Sequence, residues 1–200
     1  MEKFKIIYVD PPWSFNNKNT GGNMLSGADA HYSTMNHKDI CNLPINELAD
    51  DNCVLFMWWV ASQPLEALKV VESWGFTLKT MSGFNWVKTT KHGKLGFGMG
   101  FWTRAGSELC LIAVKGKPKR INAGIRSVEL TDVDDIDETI FAENEKHSKK
   151  PDIFRDRIVE LMGDLPRIEL FARQQSEGWS VFGNEVENSV VLSDVISEDV

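Results

Sequence analysis

"IIYVDPPWSF", Ile6–Phe15, is the stretch on which the reading of the fold turns. Lys5–Val9 is rich in Ile, Val and Tyr and reads as a buried strand. It stops at Asp10, and two prolines follow. A residue before a proline is pushed towards extended backbone, and a proline has a fixed φ and no N–H. The segment can continue neither as a helix nor as a regular ladder, so its carbonyls are expected to face a ligand. Asp10, Pro11 and Trp13 would form a rigid ledge: a carboxylate, a carbonyl and a flat apolar ring.

Working outward, the next apolar run is Cys53–Val60, a second buried strand. Ser14–Asn36 between them is polar and glycine-containing, and a loop this long in a compact domain is usually functional or disordered. Asn36–Asp50 reads as a helix broken near Leu43-Pro44. Ser62 is placed to cap a helix that opens at Pro64 and stops before Gly75. Phe76–Trp86 and Glu108–Val114 are strand-like, and Lys88–Gly100 is a basic, glycine-rich loop. Pro151 opens a helix over Asp152–Met162, closed by Gly163. Arg167–Phe171 is a strand, with a further one at Trp179–Phe182. Residues 1–185 form one domain, and 186–200 an acidic tail expected to be flexible. Strands alternating with helices predict an α/β fold, with a mainly parallel sheet covered by helices on both faces. In such sheets ligands bind beyond the carboxyl ends of the strands, where Asp10 lies.

The totals narrow the class. The chain has 200 residues, with 42% hydrophobic and 26% charged side chains, ordinary for one globular domain. Its longest apolar run, Cys53–Ala61, is too short to cross a bilayer, and the N-terminal residues do not resemble a secretory signal. Cys41, Cys53 and Cys110 are scattered, with no metal-ligand spacing, and read as reduced thiols of a cytoplasmic protein. The net charge is −7, but it is unevenly distributed. Residues 86–126 hold nine Lys/Arg and one acid, Glu108, whereas 127–145 hold eight acids and no base. These are either two solvated surface segments, or a phosphate-binding surface with an acidic segment that pairs with it in the absence of substrate.

A ledge of acceptors beside an aromatic ring suits a planar amine. The exocyclic amine of adenine offers two N–H donors, and its lone pair is delocalised into the ring. Acceptors out of the ring plane favour the pyramidal form, whose lone pair can attack a methyl group. That is positioning and electrostatic preorganisation more than proton abstraction.

"DPPW" at Asp10–Trp13 resembles the DPPW class of adenine-N6 methyltransferases, which includes the eukaryotic messenger-RNA adenosine methyltransferase catalytic subunit and bacterial and phage DNA adenine methylases. "HYSTM" at His31–Met35, "VLFMWWV" at Val54–Val60, "WVKT" at Trp86–Thr89 and "ELCLIAVKGKP" at Glu108–Pro118 are similar to further family segments. So are "HSKKPDIF" at His147–Phe154, "RIELFAR" at Arg167–Arg173 and "GWSVFGNE" at Gly178–Glu185. The resemblance runs over roughly residues 4–185 and implies a Rossmann-like methyltransferase fold. It implies S-adenosylmethionine as methyl donor, with Asp10, Pro11, Pro12 and Trp13 at the chemistry. Lys150 would pair with the donor's carboxylate and Asp10 would face its ammonium. Glu169, Phe171 and Arg173 would contact ribose and adenine, and Asn184 and Glu185 the adenosine end. His31 or Tyr32, with Tyr32 favoured, and Trp59 would line the target-base pocket. Lys88, Arg104 and Lys115 would meet phosphates. No metal is implied.

Some readings stay open. Phe171 is core or cofactor wall, and of Trp58 and Trp59, on opposite faces of one strand, the resemblance favours Trp59. The expected function is adenine-N6 methylation of DNA by an enzyme of bacterial or phage style, acting as an orphan or beside a restriction system, as a homodimer or with a partner subunit. The rivals are the same chemistry on RNA and a non-catalytic nucleic-acid-binding subunit. A third, methylation of a protein amide, is disfavoured by Asp10 where Asn is usual.

Overall fold

The computed structural model describes residues 3–14, 34–90, 92–96, 102–132 and 149–192. Its strands are β1 (Phe4–Val9), β2 (Ala49–Trp59), β3 (Thr77–Thr89), β4 (Ser107–Lys115), β5 (Val128–Asp132), β6 (Arg167–Leu170) and β7 (Ser180–Phe182). Its helices are α1 (His37–Cys41), α2 (Ile45–Leu48), α3 (Pro64–Ser73) and α4 (Ile153–Met162). The strands form one sheet of order β5-β3-β4-β2-β1-β6-β7. β1 pairs in parallel with β2 and β6, β6 with β7, and β3 with β5. Only β4 runs against its neighbours β2 and β3.

Alternation along β1 and β2 sorts the core into two layers. Ile7, Val9, Leu55 and Met57 face α1, α2 and α3 through Ile40, Ile45, Leu48, Ala67, Val70 and Val71. Ile6, Tyr8, Val54, Phe56 and Trp58 face α4 through Phe154, Ile158 and Met162. Ile6–Val9 of β1 and Cys53–Trp58 of β2 are buried on both faces and have no polar positions to spare, which is why they read as unbroken apolar runs. The sheet is therefore mainly parallel with helices on both faces, a Rossmann-like methyltransferase arrangement.

The helix break at Leu43-Pro44 separates α1 from α2, and the Asn36 side chain caps α1 by accepting from the Lys38 and Asp39 amides. α3 begins at Pro64 after Gln63, so Ser62 is not its cap. β5 lies inside the acidic segment where no strand was expected. Its Glu129 pairs with Arg157 of α4 at 2.6 Å. Residues 133–148, which include most of the acidic segment expected to pair with the basic block, lie outside the described residues. Residues 186–192, expected to begin a tail, instead close β7. Ser189 donates to the Val181 carbonyl and its hydroxyl accepts from the Val181 amide, and Leu192 is buried. Residues 193–200 lie outside the described residues. No described helix is long and apolar enough to cross a membrane.

Chain order sets the position of the site. From β1 the chain moves to β2 on one side, and returns much later to β6 on the other. The carboxyl end of β1 is thus a topological switch point, the place where α/β sheets open a crevice.

Candidate active site

Asp10 follows the last residue of β1 at that switch point. The two prolines after it make a tight turn: the Trp13 amide donates to the Pro11 carbonyl at 2.8 Å, closing a three-residue turn. The Pro12 carbonyl accepts from the Met35 amide at 2.8 Å, and Trp13 bridges Met35. The carbonyls are therefore not both free, as expected from the prolines alone. Pro12 is engaged, and Pro11 keeps one lone pair. Trp13 differs as well. Its indole is 5% exposed, packed in the α3 layer, and donates through Nε1 to the Trp58 carbonyl at 3.1 Å. It anchors the turn to β2 and offers no flat face beside Asp10. Indoles bury well, and one of this size at a turn was drawn into the core rather than left as a wall.

Asp10 Oδ2 accepts from Lys150 Nζ at 2.6 Å. Lys150 also meets Glu108 Oε2 at 3.1 Å, and Glu108 Oε1 meets Lys88 Nζ at 2.6 Å. Three elements meet here: the end of β1, the segment leading into α4 (Lys150 is three residues before it), and the β3–β4 pair. The result is a chain of alternating charge, Asp10–Lys150–Glu108–Lys88, with Lys150 and Lys88 also lying 5.4 and 4.6 Å from the Trp58 and Trp86 rings. Burial pushes the Asp10 carboxyl up from its ordinary 3.8, and the Lys150 ammonium only partly offsets this. Burial would likewise raise Glu108, but two lysines more than offset it and hold that carboxyl below 4.5. Burial opposes the charge on Lys150, but its two carboxylates overcome that and raise its pKa. Glu108 was not among the residues expected at the site. Its signal was present: it is the single acid in a segment with nine bases.

Beyond β6 the expected cofactor residues divide. Glu169 is 8% exposed and faces Arg155 of α4, which holds it with a fork of two hydrogen bonds, Nε–Oε2 at 2.6 Å and Nη2–Oε1 at 2.7 Å. A third Arg155 nitrogen reaches Asp152 at 2.6 Å. Glu169 is thus engaged in a buried ion pair, each of its oxygens accepting one Arg155 donor. Burial raises its carboxyl above 4.5, with Arg155 opposing. Phe171 takes a left-handed backbone at φ 59° and is half-buried against the α3 layer. Turning there lets the Ala172 amide reach the Phe182 carbonyl, and at Gly183 a Cβ would sit 2.1 Å from the Ala172 carbonyl oxygen. Arg173 lies 3.9 Å from Glu185 and close enough to Asp10 to lower its pKa. Asn184 and Glu185 are exposed on the turn after β7. An open cleft of about 590 Å³ lies alongside, lined by Gln174, Gln175, Glu185, Val186, Glu187, Asn188 and Ser189.

On the substrate side, Trp58 and Trp59 do face opposite ways. Trp58 is buried and donates to the Tyr8 hydroxyl, while half-buried Trp59 donates to the Met81 carbonyl. Lys88 joins the charged chain, and Arg104 is exposed shortly before β4. Lys115 is elsewhere. It pairs across β2 with Cys53, six residues before Trp59, so it sits about 20 Å down the sheet. Its ammonium donates to the Asn46 carbonyl at 3.2 Å. The basic block is therefore divided between the two ends of the sheet. His31 and Tyr32 lie outside the described residues.

Known proteins resemble the chain along nearly its whole length. The MT-A70 family model matches residues 4–185. The type II methyltransferase M.MunI of Mycoplasma sp is 29% identical, covering 95% of this chain and 81% of its own. The human N(6)-adenosine-methyltransferase catalytic subunit METTL3 is also 29% identical, covering 98% of this chain and 30% of its own. An Arabidopsis thaliana N(6)-adenosine-methyltransferase MT-A70-like protein is 28% identical, over 92% of this chain and 24% of its own.

Proposed function

The chain belongs to the MT-A70 family, and on that premise we propose that it transfers a methyl group to the exocyclic N6 amine of adenine in DNA. The observation that carries the reading is the half-buried Asp10 carboxylate at the switch point, held beside the Lys150 ammonium at 2.6 Å.

Methyltransferases of this family use S-adenosylmethionine as donor. The donor's amino-acid end carries an ammonium and a carboxylate, and the site offers the complement, Asp10 and Lys150. The four-residue chain of charges is neutral as a whole, two carboxylates against two ammoniums. A zwitterion can therefore join it without leaving a net buried charge, which would be costly. Arg173, Asn184 and Glu185 support contacts to the adenosine end, and Glu169 contributes by holding α4 against β6 through Arg155. When bound, the donor supplies an electrophilic methyl group on a sulfonium.

The chain's own part is to present the amine. Asp10 accepts one N–H, and the remaining lone pair of the Pro11 carbonyl accepts the other, which favours the pyramidal amine. Trp13 acts at one remove, by fixing the turn that aims both acceptors. Lys88 and Glu108 hold Lys150 in register. Trp59, half-buried at the end of β2, supports a base-pocket role.

The human relative is named for adenosine, so RNA is the second reading. The DNA reading is supported by the likeness to the type II methyltransferase. A duplex target would have to be flipped out of its stack. The test is tritium transfer from labelled S-adenosylmethionine to DNA and RNA oligonucleotides of one sequence, with Asp10→Ala alongside. N6-methyladenine in DNA, absent with Asp10→Ala, is the expected result. Label in RNA alone would move the substrate, and label retained by Asp10→Ala would sink the role of the acceptors.

A further inference from the structure

Most described tryptophans of this chain are covered. Trp13, Trp58, Trp74, Trp86 and Trp179 are buried, and Trp59 is half-buried. Five of these six donate their indole N–H to a protein oxygen. Trp102 is fully exposed, and its backbone sits at φ 66°, in the left-handed region that bulky residues avoid. A strained bulky residue that displays its ring to water calls for a use, since neither feature stabilises the fold.

The position of Trp102 suggests one. The loop between β3 and β4 is rooted on Lys88: the Lys88 amide donates to the Gly106 carbonyl at 2.9 Å, and the Lys88 carbonyl accepts from the Gly96 amide at 2.8 Å. Leu95 bridges Thr89, and the Thr90 amide reaches the Lys94 carbonyl at 2.8 Å. The same Lys88 carries the ion pair to Glu108, and through it the link to Lys150 and Asp10. Trp102 thus belongs to the loop whose root, at Lys88 and Gly106, joins the candidate active site, and in sequence it stands six residues before Glu108. Its exposed neighbours in this loop are His92, Lys94, Leu95 and Arg104, and no acid occurs between Thr89 and Glu108.

We propose that Trp102 is a base-stacking residue: its ring takes the face of a nucleobase next to the one delivered to Asp10, while Lys94 and Arg104 meet the flanking phosphates. The proposal rests on the nucleic-acid reading above and adds a named contact to it. A polyanion with exposed π-faces matches an indole among cations on both counts. A protein partner would need a broader apolar patch than Trp102 and Leu95 supply. Drawing a base out of its stack leaves the neighbouring bases uncovered, and an aromatic ring covers one without reading its sequence.

The test compares wild type, Trp102→Ala, Trp102→Phe and Arg104→Ala. It reads anisotropy of labelled adenine-containing single strands and duplexes over a salt series, donor titration by calorimetry, and molar mass by light scattering. Trp102→Ala is expected to weaken single-strand binding about 5- to 150-fold, the ~1–3 kcal/mol of one base–aromatic stack at 1.4 kcal/mol per decade. Its salt slope, donor affinity and mass should match wild type. Trp102→Phe should recover most of the loss, and Arg104→Ala should instead lower the salt slope. Unchanged binding by Trp102→Ala would overturn the proposal. So would a change of mass, which would give the ring to a protein contact. Wild type that binds the donor but no oligonucleotide would overturn the nucleic-acid reading, and the stacking role with it.

Discussion

Glu169 offers the sharpest discrimination between a ligand contact and a structural pair. The fork from Arg155 takes both carboxylate oxygens at 2.6 and 2.7 Å, and the two side chains are only 7% and 10% exposed. Arg155→Met removes the cation and leaves a buried carboxylate unpaired. Breaking a buried pair from one side costs about 3–5 kcal/mol. For a chain of this size that is a fall in Tm of about 6–20 °C at roughly 2–4 °C per kcal/mol. The sign of its pH dependence follows from the direction of the shift. Burial already raises the Glu169 carboxyl above 4.5 in the folded chain, and loss of Arg155 raises it further. A raised carboxyl favours the fold most below its unfolded pKa, and that contribution is lost as pH rises through the folded value. The deficit of Arg155→Met should therefore be largest at neutral pH and shrink on acidification. Replacing both residues with Met should recover most of the loss, because no charge is then buried. Glu169→Gln should lower the urea midpoint while leaving donor affinity within about threefold, since the amide cannot accept both Arg155 donors. The readouts are urea unfolding across pH and donor calorimetry. A Glu169→Gln variant with wild-type stability and donor affinity lost tenfold or more would refute the reasoning and return Glu169 to the ribose.

Other perturbations separate the remaining roles. Lys150→Met leaves Asp10 and Glu108 without their shared cation; calorimetry should show donor affinity down at least tenfold, a factor that corresponds to about 1.4 kcal/mol, and unchanged affinity would remove Lys150 from the donor site. Asp10 accepts from the amine most strongly when ionised, and burial raises its pKa, so single-turnover methyl transfer should fall on acidification at a pH above the ordinary 3.8. A rate that persists down to 3.8 would refute that assignment. Trp13→Phe keeps an aromatic ring but leaves the Trp58 carbonyl without its indole donor; the expected cost is about 1–3 kcal/mol in urea unfolding, and no change would show that the turn is fixed by the Met35 contacts alone. Lys115→Ala should leave both oligonucleotide affinity and its salt slope as in wild type, whereas loss of slope would mean that nucleic acid reaches the far end of the sheet.

The elements read from the sequence were those whose signal is local. β1 and β2 are apolar runs stopped by Asp10 and by the turn after Trp59, and Pro64, Pro151 and Gly163 punctuate α3 and α4. β5 escaped because its stabilising contacts are distant. "VELTD" alternates, but Val128 and Leu130 are exposed on the edge strand, and Glu129 finds its charge partner on α4. Within an acidic run such a segment has the composition of a solvated loop.

The site divides along the same line. Asp10 and Lys150 were legible because a motif carries them, although 140 residues separate them. What could not be read was the competition for each charge. Glu169 was expected at a ribose, and α4 also brings Arg155 across to it in a fork of two buried hydrogen bonds, a partner no local motif announces. Glu108 and Lys115 stand seven residues apart in one basic segment, yet on a strand that spacing is about 23 Å. One lies in the charged chain and the other at the opposite end of the sheet. A block of like charge in sequence becomes a surface only if the fold returns it to one place. Here an extended strand carries Lys115 away from the site and leaves Lys88 at it.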